Sequence, residues 1–169
     1  EVNMIFTSPP YWNLRTYVRG GGLGNEETPQ EYVENLVSHF DDCKRVLSET
    51  GSFFLNLGDT YHNHSLQSVP HRVAIRMGDE GWILRNTIIW RKKNPMPGGD
   101  RKNARKTYEF IFHFVKSMDY HYTQTPVPRK DVTGGKIIIN PRADGGFSLP
   151  SYGDLGGKDA GTNIGDYWD

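Results

Sequence analysis

Hydrophobic positions in this chain fall into four short blocks and two amphipathic stretches. Val2 to Phe6 is the first apolar block, Ser52-Phe53-Phe54-Leu55-Asn56-Leu57 the second, and Trp82 to Trp90 the third, ending in the β-rich run Asn86-Thr87-Ile88-Ile89-Trp90. Tyr108 to Val115 alternates and forms the fourth. Their lengths and β-branched and aromatic content predict four strands. Between the first two, Val33, Leu36, Val37, Phe40, Cys43 and Leu47 recur at helical spacing. Thr28 can cap that helix, Pro29 suits its first position and Glu31 completes a capping box, while Gly51 is expected to close it in the left-handed conformation. Val69 to Met77 predicts a second helix, closed by Gly81, after a loop holding His62 and His64. Past Tyr120 the pattern decays into Pro, Gly and Asp, with one β-like patch at Ile137-Ile138-Ile139.

Strand, helix and strand in that order make a parallel βαβ unit, whereas strands three and four, with no helix between them, should pair antiparallel. The expected fold class is α/β, with an antiparallel hairpin at one edge of the sheet. Open sheets of this kind bind ligands beyond the carboxyl ends of their strands. Residues 8–12 and Gly58-Asp59 both sit at such ends and should face one crevice. The expected organisation is one structured part over residues 1–118 and an irregular remainder over 119–169.

Composition narrows the class. No apolar run approaches the roughly 20 residues of a membrane helix, and the single Cys43 excludes an internal disulfide and suits a reducing compartment, so a cytoplasmic setting is expected. The chain opens inside a strand at Glu1-Val2-Asn3, the expectation for a fragment. Twenty basic and twenty acidic residues cancel, but their distribution is uneven. From Arg91 to Lys106 seven cations (Arg91, Lys92, Lys93, Arg101, Lys102, Arg105, Lys106) face one anion, Asp100, and from Gly24 to Asp59 eight anions face two cations. A basic loop on an otherwise acidic body suggests a polyanionic partner, against the alternative of a merely solvated loop.

The run Ile5-Phe6-Thr7-Ser8-Pro9-Pro10-Tyr11-Trp12-Asn13-Leu14 carries the chemistry. Two consecutive prolines stiffen the chain after the first strand and keep it out of a helix. A hydroxyl and fixed carbonyls are acceptors for an amino group, and Tyr11 and Trp12 offer flat faces to a ring. Together they suggest a nucleobase pocket; the alternative is a proline turn with its aromatics in the core. His62-Asn63-His64 lacks the Cys pairs or clustered carboxylates of a metal site, so no metal is expected. Cys43 falls on the buried stripe and reads as a core residue.

Taken with Leu14-Arg15-Thr16-Tyr17, Leu23-Gly24, Thr28-Pro29-Gln30-Glu31-Tyr32-Val33, Leu55-Asn56-Leu57-Gly58-Asp59-Thr60-Tyr61, residues 89–97 and Arg105-Lys106-Thr107-Tyr108-Glu109-Phe110, the chain resembles the amino-methylating DNA methyltransferases of beta class over residues 2–118. The resemblance implies a partial Rossmann-like sheet and methyl transfer from S-adenosylmethionine to the exocyclic amine of a flipped-out base in double-stranded DNA. A serine at the first motif position favours cytosine-N4 over adenine-N6. Ser8, Pro9, Pro10 and Tyr11 are the implied catalytic residues, Thr7, Ser8 and Asp59 face the cofactor, and Trp12, Arg15, Lys92, Lys93, Arg101, Lys102, Arg105, Lys106, Tyr108 and Glu109 face DNA. Tyr11 would stack on the base, so that Tyr11→Phe should change little; a capping role is the alternative for Asp59. The family's Phe-x-Gly-x-Gly cofactor loop has no counterpart here: Gly145-Gly146 and Gly156-Gly157 lack a flanking strand and helix. The chain alone is therefore expected to lack most of the cofactor site, which a further segment or a second chain would supply, in a prokaryotic or phage-encoded protein. A non-catalytic DNA-binding fragment, or transfer to RNA or a protein amide, are the competing functions.

Overall fold

The first strand, β1 (Val2–Thr7), ends where Ser8 and the prolines begin, because Pro9 and Pro10 have no N–H to extend a ladder. The computed structural model describes residues 1–15, 22–95, 102, 104–123 and, for the backbone alone, 167–168. The chain divides into two compact units, Glu1–Tyr122 with Gly165–Asp169, and Thr123–Ile164. The second, apart from Thr123, lies outside the described residues. So do the patch at Ile137-Ile138-Ile139 and both glycine pairs.

Helix α1 (Pro29–Val46) starts as the sequence predicts: Thr28 Oγ1 accepts from Glu31 N at 3.2 Å and the Glu31 carboxylate accepts from Thr28 N at 3.2 Å. Its end differs. The helix stops at Val46, and β2 runs from Leu47 to Leu57 with Gly51 inside it. Leu47 is thus a buried strand residue, and Gly51 has no positive φ. The partners that draw residues 47–50 out of the helix are distant in sequence. Lys116 Nζ donates to Leu47 O at 2.7 Å, Ser117 Oγ to Glu49 O at 3.0 Å and His121 N to Thr50 O at 2.8 Å.

Strand β2 pairs parallel with β1, as a βαβ unit requires. Beyond it the loop around His62 and His64 is a miniature hairpin, β3 (Tyr61–His62) and β4 (Ser65–Leu66), turned by Asn63 and His64 at φ 49° and 63°. Two positive φ values in a two-residue turn match the twist of paired strands. Helix α2 (Val69–Asp79) follows and gives way to β5 (Ile83–Arg91) through Gly81 at φ +79°.

Strand β6 (Tyr108–Val115) then returns antiparallel to β5 and inserts between it and β2. A backbone pair, β7 (Tyr167–Trp168), lies parallel on the outer side of β5, giving the order β1-β2-β6-β5-β7. One hydrophobic cluster joins Tyr32, Leu36 and Phe40 of α1, Val73 and Met77 of α2, and Phe53, Leu55, Phe112 and Phe114 of the central strands. Both helices therefore cover the same face of the sheet. The carboxyl ends of β1 and β2 and the start of β6 meet at one end, which fixes where a site can form. Among the described residues no helix is long and apolar enough to cross a membrane.

Candidate active site at the strand ends

Four polar side chains converge there: Ser8 after β1, Tyr11 from the proline turn, Asn56 near the end of β2 and Glu109 at the start of β6. Tyr11 Oη donates to Glu109 Oε2 at 3.0 Å and lies 3.3 Å from Ser8 Oγ. Asn56 Nδ2 reaches Tyr11 Oη and Glu109 Oε2, each at 3.1 Å, and Ser8 Oγ at 3.4 Å. Lys92, at the end of β5, pairs with Glu109 Oε1. The strand register permits this, because Trp90 is opposite Glu109 and Lys92 N continues the ladder to Thr107 O at 2.7 Å, which leaves Lys92 diagonal to Glu109.

The proline turn is held from both sides. Tyr32, fully buried on α1, donates its hydroxyl to Pro10 O at 2.9 Å. Its phenol is pushed well above the ordinary value, first by burial and then by the nearby Glu26 and Tyr11, so it remains a donor. Gly24, at φ +96°, lies where a Cβ would stand 3.0 Å from Tyr11 O and 3.3 Å from Pro10 Cβ. The Tyr11 ring rests on Gly58, where a Cβ would come within 2.6 Å of Cε2. A glycine at 58 is thus required by close approach of the ring.

Electrostatics favour an ionised Glu109. Burial works to raise its pKa, but the hydrogen bonds from Lys92, Asn56 and Tyr11 outweigh it and hold the carboxyl below its usual range. Lys106 is lowered, mainly by burial and further by Lys92, against the pull of Asp59 and Glu109. Its ammonium donates to Asp59 O and sits 5.5 Å from the centre of the Tyr61 ring.

One expectation needs correction, and the other residues are placed as follows. Trp12 cannot offer a face to DNA: it is 2% exposed, in the core, with Nε1 donating to Glu26 O at 3.0 Å. Its size and one donor are satisfied internally. Asp59 takes the capping role, since Oδ1 accepts from Thr60 N at 2.9 Å and from Val69 N, at the start of α2, at 3.1 Å. Lys92 pairs with Glu109 and keeps 39% of its side chain exposed. Lys93, Lys102 and Arg105 are exposed, Arg105 bonding back to Pro95 O, while Arg101 lies outside the described residues. Tyr108 is exposed, its ring roughly perpendicular to that of Phe110, and Arg15 is exposed beside Asn13 and Glu26. Thr7 closes β1 opposite Leu55.

Asn56 and Tyr32 received no role from sequence reasoning. Asn56 is 5% exposed and its Oδ1 has no partner. A signal did exist, for a lone amide inside Phe53-Phe54-Leu55-Asn56-Leu57 breaks an otherwise apolar buried strand and needs a reason to be there. Tyr32 was hidden among the apolar positions of α1, where a hydroxyl is easily overlooked.

The arrangement presents acceptor oxygens and one anion at the mouth of an α/β sheet. Comparisons with known proteins bear on the family and the fold. The DNA methylase family profile (N6/N4 methyltransferases) matches residues 2–169. The Type II methyltransferase M.SfiI of Streptomyces fimbriatus is 38% identical over 139 residues, and M.MwoI of Methanothermobacter wolfeii is 41% identical over 129. These alignments take in 72% and 73% of this chain but 33% and 19% of the relatives, so the chain spans a third or less of their length. Among solved structures, the cytosine-N4-specific PvuII DNA methyltransferase superposes with a TM-score of 0.58 at 24% identity, over 70% of this chain and 43% of that one. A putative DNA modification methylase of Thermus thermophilus complexed with S-adenosyl-L-methionine gives 0.54 at 24% identity, over 72% and 48%. These two establish the partial Rossmann-like fold alone. With a family profile that spans all but the first residue, the chain belongs to the N6/N4 DNA methylase family.

Proposed function

We propose that this chain is the amine-binding part of an S-adenosylmethionine-dependent DNA methyltransferase that modifies a flipped-out base, cytosine-N4 in preference to adenine-N6. The observation that carries the reading is the convergence of Ser8, Tyr11, Asn56 and Glu109 at the ends of β1 and β2. An exocyclic amine is a poor nucleophile because its lone pair is delocalised into the ring. Ser8 Oγ and the Pro9 carbonyl accept its two hydrogens, which draws the nitrogen toward tetrahedral geometry and frees the lone pair for in-line attack. The nitrogen gains carbon and sheds one proton, so no covalent enzyme intermediate is needed. Half-buried Cys43, its thiol pushed up by burial and by Asp42, is not a nucleophile in this reading.

When bound, S-adenosylmethionine supplies an electrophilic methyl on a positively charged sulfur. The residues present suit the transfer end of that group. Oxygen acceptors and the ionised Glu109 cluster at the strand ends, with Thr7 and Ser8 placed to face it, as does the backbone around Asp59. They do not provide its nucleoside end, since no Phe-x-Gly-x-Gly run occurs in the 169 residues. A further segment or a second chain would supply that half and complete the enzyme.

The amine is inaccessible in a stacked duplex, which calls for base flipping. Tyr11, whose ring lies against Gly58, would lend a face to the flipped base, a contact worth about 1–3 kcal/mol. Lys93, Lys102 and Arg105, with Arg101, would meet phosphates. The Type II names of the relatives support a restriction–modification role.

Mass spectrometry of nucleosides from DNA incubated with the complete enzyme and cofactor tests this. N4-methylcytosine is expected. N6-methyladenine alone would overturn the base preference, and unmodified nucleosides would overturn methyl transfer to DNA.

A further inference from the structure

Of the three tryptophans whose side chains are described, Trp12 and Trp82 are buried in the core. Trp90, near the end of β5, is 41% exposed. One exposed ring is ordinary by itself, but the surroundings of this one are not. Trp90 is opposite Glu109 in the β5–β6 ladder, so their side chains leave the sheet on the same side. Phe110, Phe112 and Phe114 alternate with Glu109 and pack toward α1 and α2, which puts Trp90 and Glu109 on the other face. The indole lines a hollow of about 350 Å³ together with Arg91, Lys92, Lys93 and Asn94. Lys92 joins this hollow to the site, since it also pairs with Glu109, whose Oε2 accepts from Tyr11.

A flat apolar ring beside three consecutive cationic residues and an amide suits a nucleotide. The ring takes a base by stacking, the cations take phosphate, and Asn94 has both a donor and an acceptor for a base edge. An apolar protein segment laid here would strip water from those cations without pairing them. The hollow is not the place for the target amine, which Ser8 meets at the end of β1. Strands β2 and β6 lie between β1 and β5, which makes three strand spacings of ~4.8 Å each.

We propose that the Trp90 hollow is a second nucleotide subsite: it takes the nucleotide adjacent to the target base in the same strand, with that base stacked on the indole and a phosphate against Lys93. The inference rests on the methyl-transfer reading above and extends it from the target base to its neighbour.

Binding of short duplexes by the complete enzyme tests this, with residue 90 varied in shape. Trp90→Leu keeps apolar bulk but loses the flat face. It should weaken DNA binding roughly 5- to 150-fold, the range for one lost base–aromatic stack. Its kcat at saturating DNA should stay within about threefold of wild type, because the contact is made equally before and during transfer. Trp90→Phe keeps a face and should retain most of the affinity. A duplex with an abasic site beside the target removes the base instead of the ring. One of the two neighbours should be the partner. On the duplex abasic there, Trp90→Leu should cost little more, whereas on the duplex abasic at the other neighbour it should cost as much as on intact DNA. Equal affinity of Trp90→Leu and wild type, or the same penalty on both abasic duplexes, overturns the proposal.

A second measurement leaves residue 90 intact. The indole N–H resonance of Trp90, identified by its absence in Trp90→Phe, should shift when the intact duplex is added to the complete enzyme. It should stay near its free position with the duplex abasic at the partner base. A resonance that the intact duplex leaves in place, or that all three duplexes move equally, overturns the proposal even if Trp90→Leu fails to fold. Absence of DNA methylation by the wild-type enzyme would instead remove the functional reading, while affinity and resonance still test the subsite.

Discussion

Tyr11 shows how much a single hydroxyl can organise. Sequence alone presents it as a flat ring for stacking, for which Tyr11→Phe is nearly silent. The structure gives its oxygen contacts with Ser8, Asn56 and Glu109, so loss of the oxygen removes partners from a half-buried cluster. Tyr11→Phe should cost about 1–2 kcal/mol, within the range for an orphaned buried hydrogen-bonding group, read as a lower urea midpoint, and it should lower methylation. Gly58→Ala makes the complementary test. A methyl placed 2.6 Å from the ring must push Tyr11 aside, at about 1–3 kcal/mol by analogy with overpacking, and methylation should suffer more than stability does. Equal urea midpoints for Gly58→Ala and wild type would show that the ring has room to move. Motif order and chemistry singled out Ser8 and Tyr11 as catalytic candidates and Glu109 as a DNA-facing one, and the structure brings the three together. Asn56 was not legible, since its role depends on β6 bringing Glu109 alongside β2 from 53 residues away. Trp12 was misread because no local pattern tells an aromatic ring that faces a ligand from one that fills a core.

At the scale of elements, the start of α1 was readable and its end was not. Cap, proline and capping box are local chemistry within four residues, and the structure reproduces each bond. The end depends on Lys116, Ser117 and His121, which satisfy carbonyls of residues 47–50 from the far side of β6. Apolar periodicity continues through Leu47, and no window along the helix can register that competition. The insertion of β6 between β2 and β5 was hidden for a similar reason: antiparallel pairing of the last two strands was evident, but not which side of β5 the return would take. The local part yields a clean prediction. Thr28→Ala removes the acceptor for Glu31 N and should destabilise the fold by about 1 kcal/mol. Because Tyr32 lies in the same first turn and anchors Pro10, the loss should also loosen the proline turn. Hydrogen exchange at Tyr11 and Trp12 amides should quicken alongside that of the α1 start; acceleration confined to α1 would separate the cap from the site.

For the molecule as a whole, charge is arranged rather than accumulated. Two cations at the described ends of the basic connection between β5 and β6 reach the site, Lys92 pairing with Glu109 and Lys106 donating to Asp59 O, while four of the acidic residues, Glu31, Glu34, Asp41 and Asp42, lie on α1. Replacing Lys93, Lys102 and Arg105 together by Gln should reduce the slope of log affinity for DNA against log salt by about 3 units; an unchanged slope would take this loop out of the interface. Acid stability follows from a different place. His113 stacks on Phe54 at 4.5 Å between centroids, and its Nε2 lies 3.0 Å from Ser52 Oγ, with Tyr120 edge-on and Arg85 nearby. Burial, reinforced by Arg85, pushes its pKa below the ordinary 6.5. A group depressed in the folded state contributes stability that is present above its unfolded pKa and lost as pH falls through the folded one. Glu109, also depressed, adds a second loss that begins lower, below its ordinary 4.5. Urea midpoints should thus be level above about pH 7, decline from about pH 6.5 as the unfolded chain takes up a proton that His113 resists, and steepen again in the carboxylate range. His113→Phe preserves a ring on Phe54 but removes the titrating nitrogen, so it should flatten the first decline and leave the second. A wild-type profile level from pH 7 to 5, or a His113→Phe profile that keeps the early slope, would move the acid sensitivity to other groups.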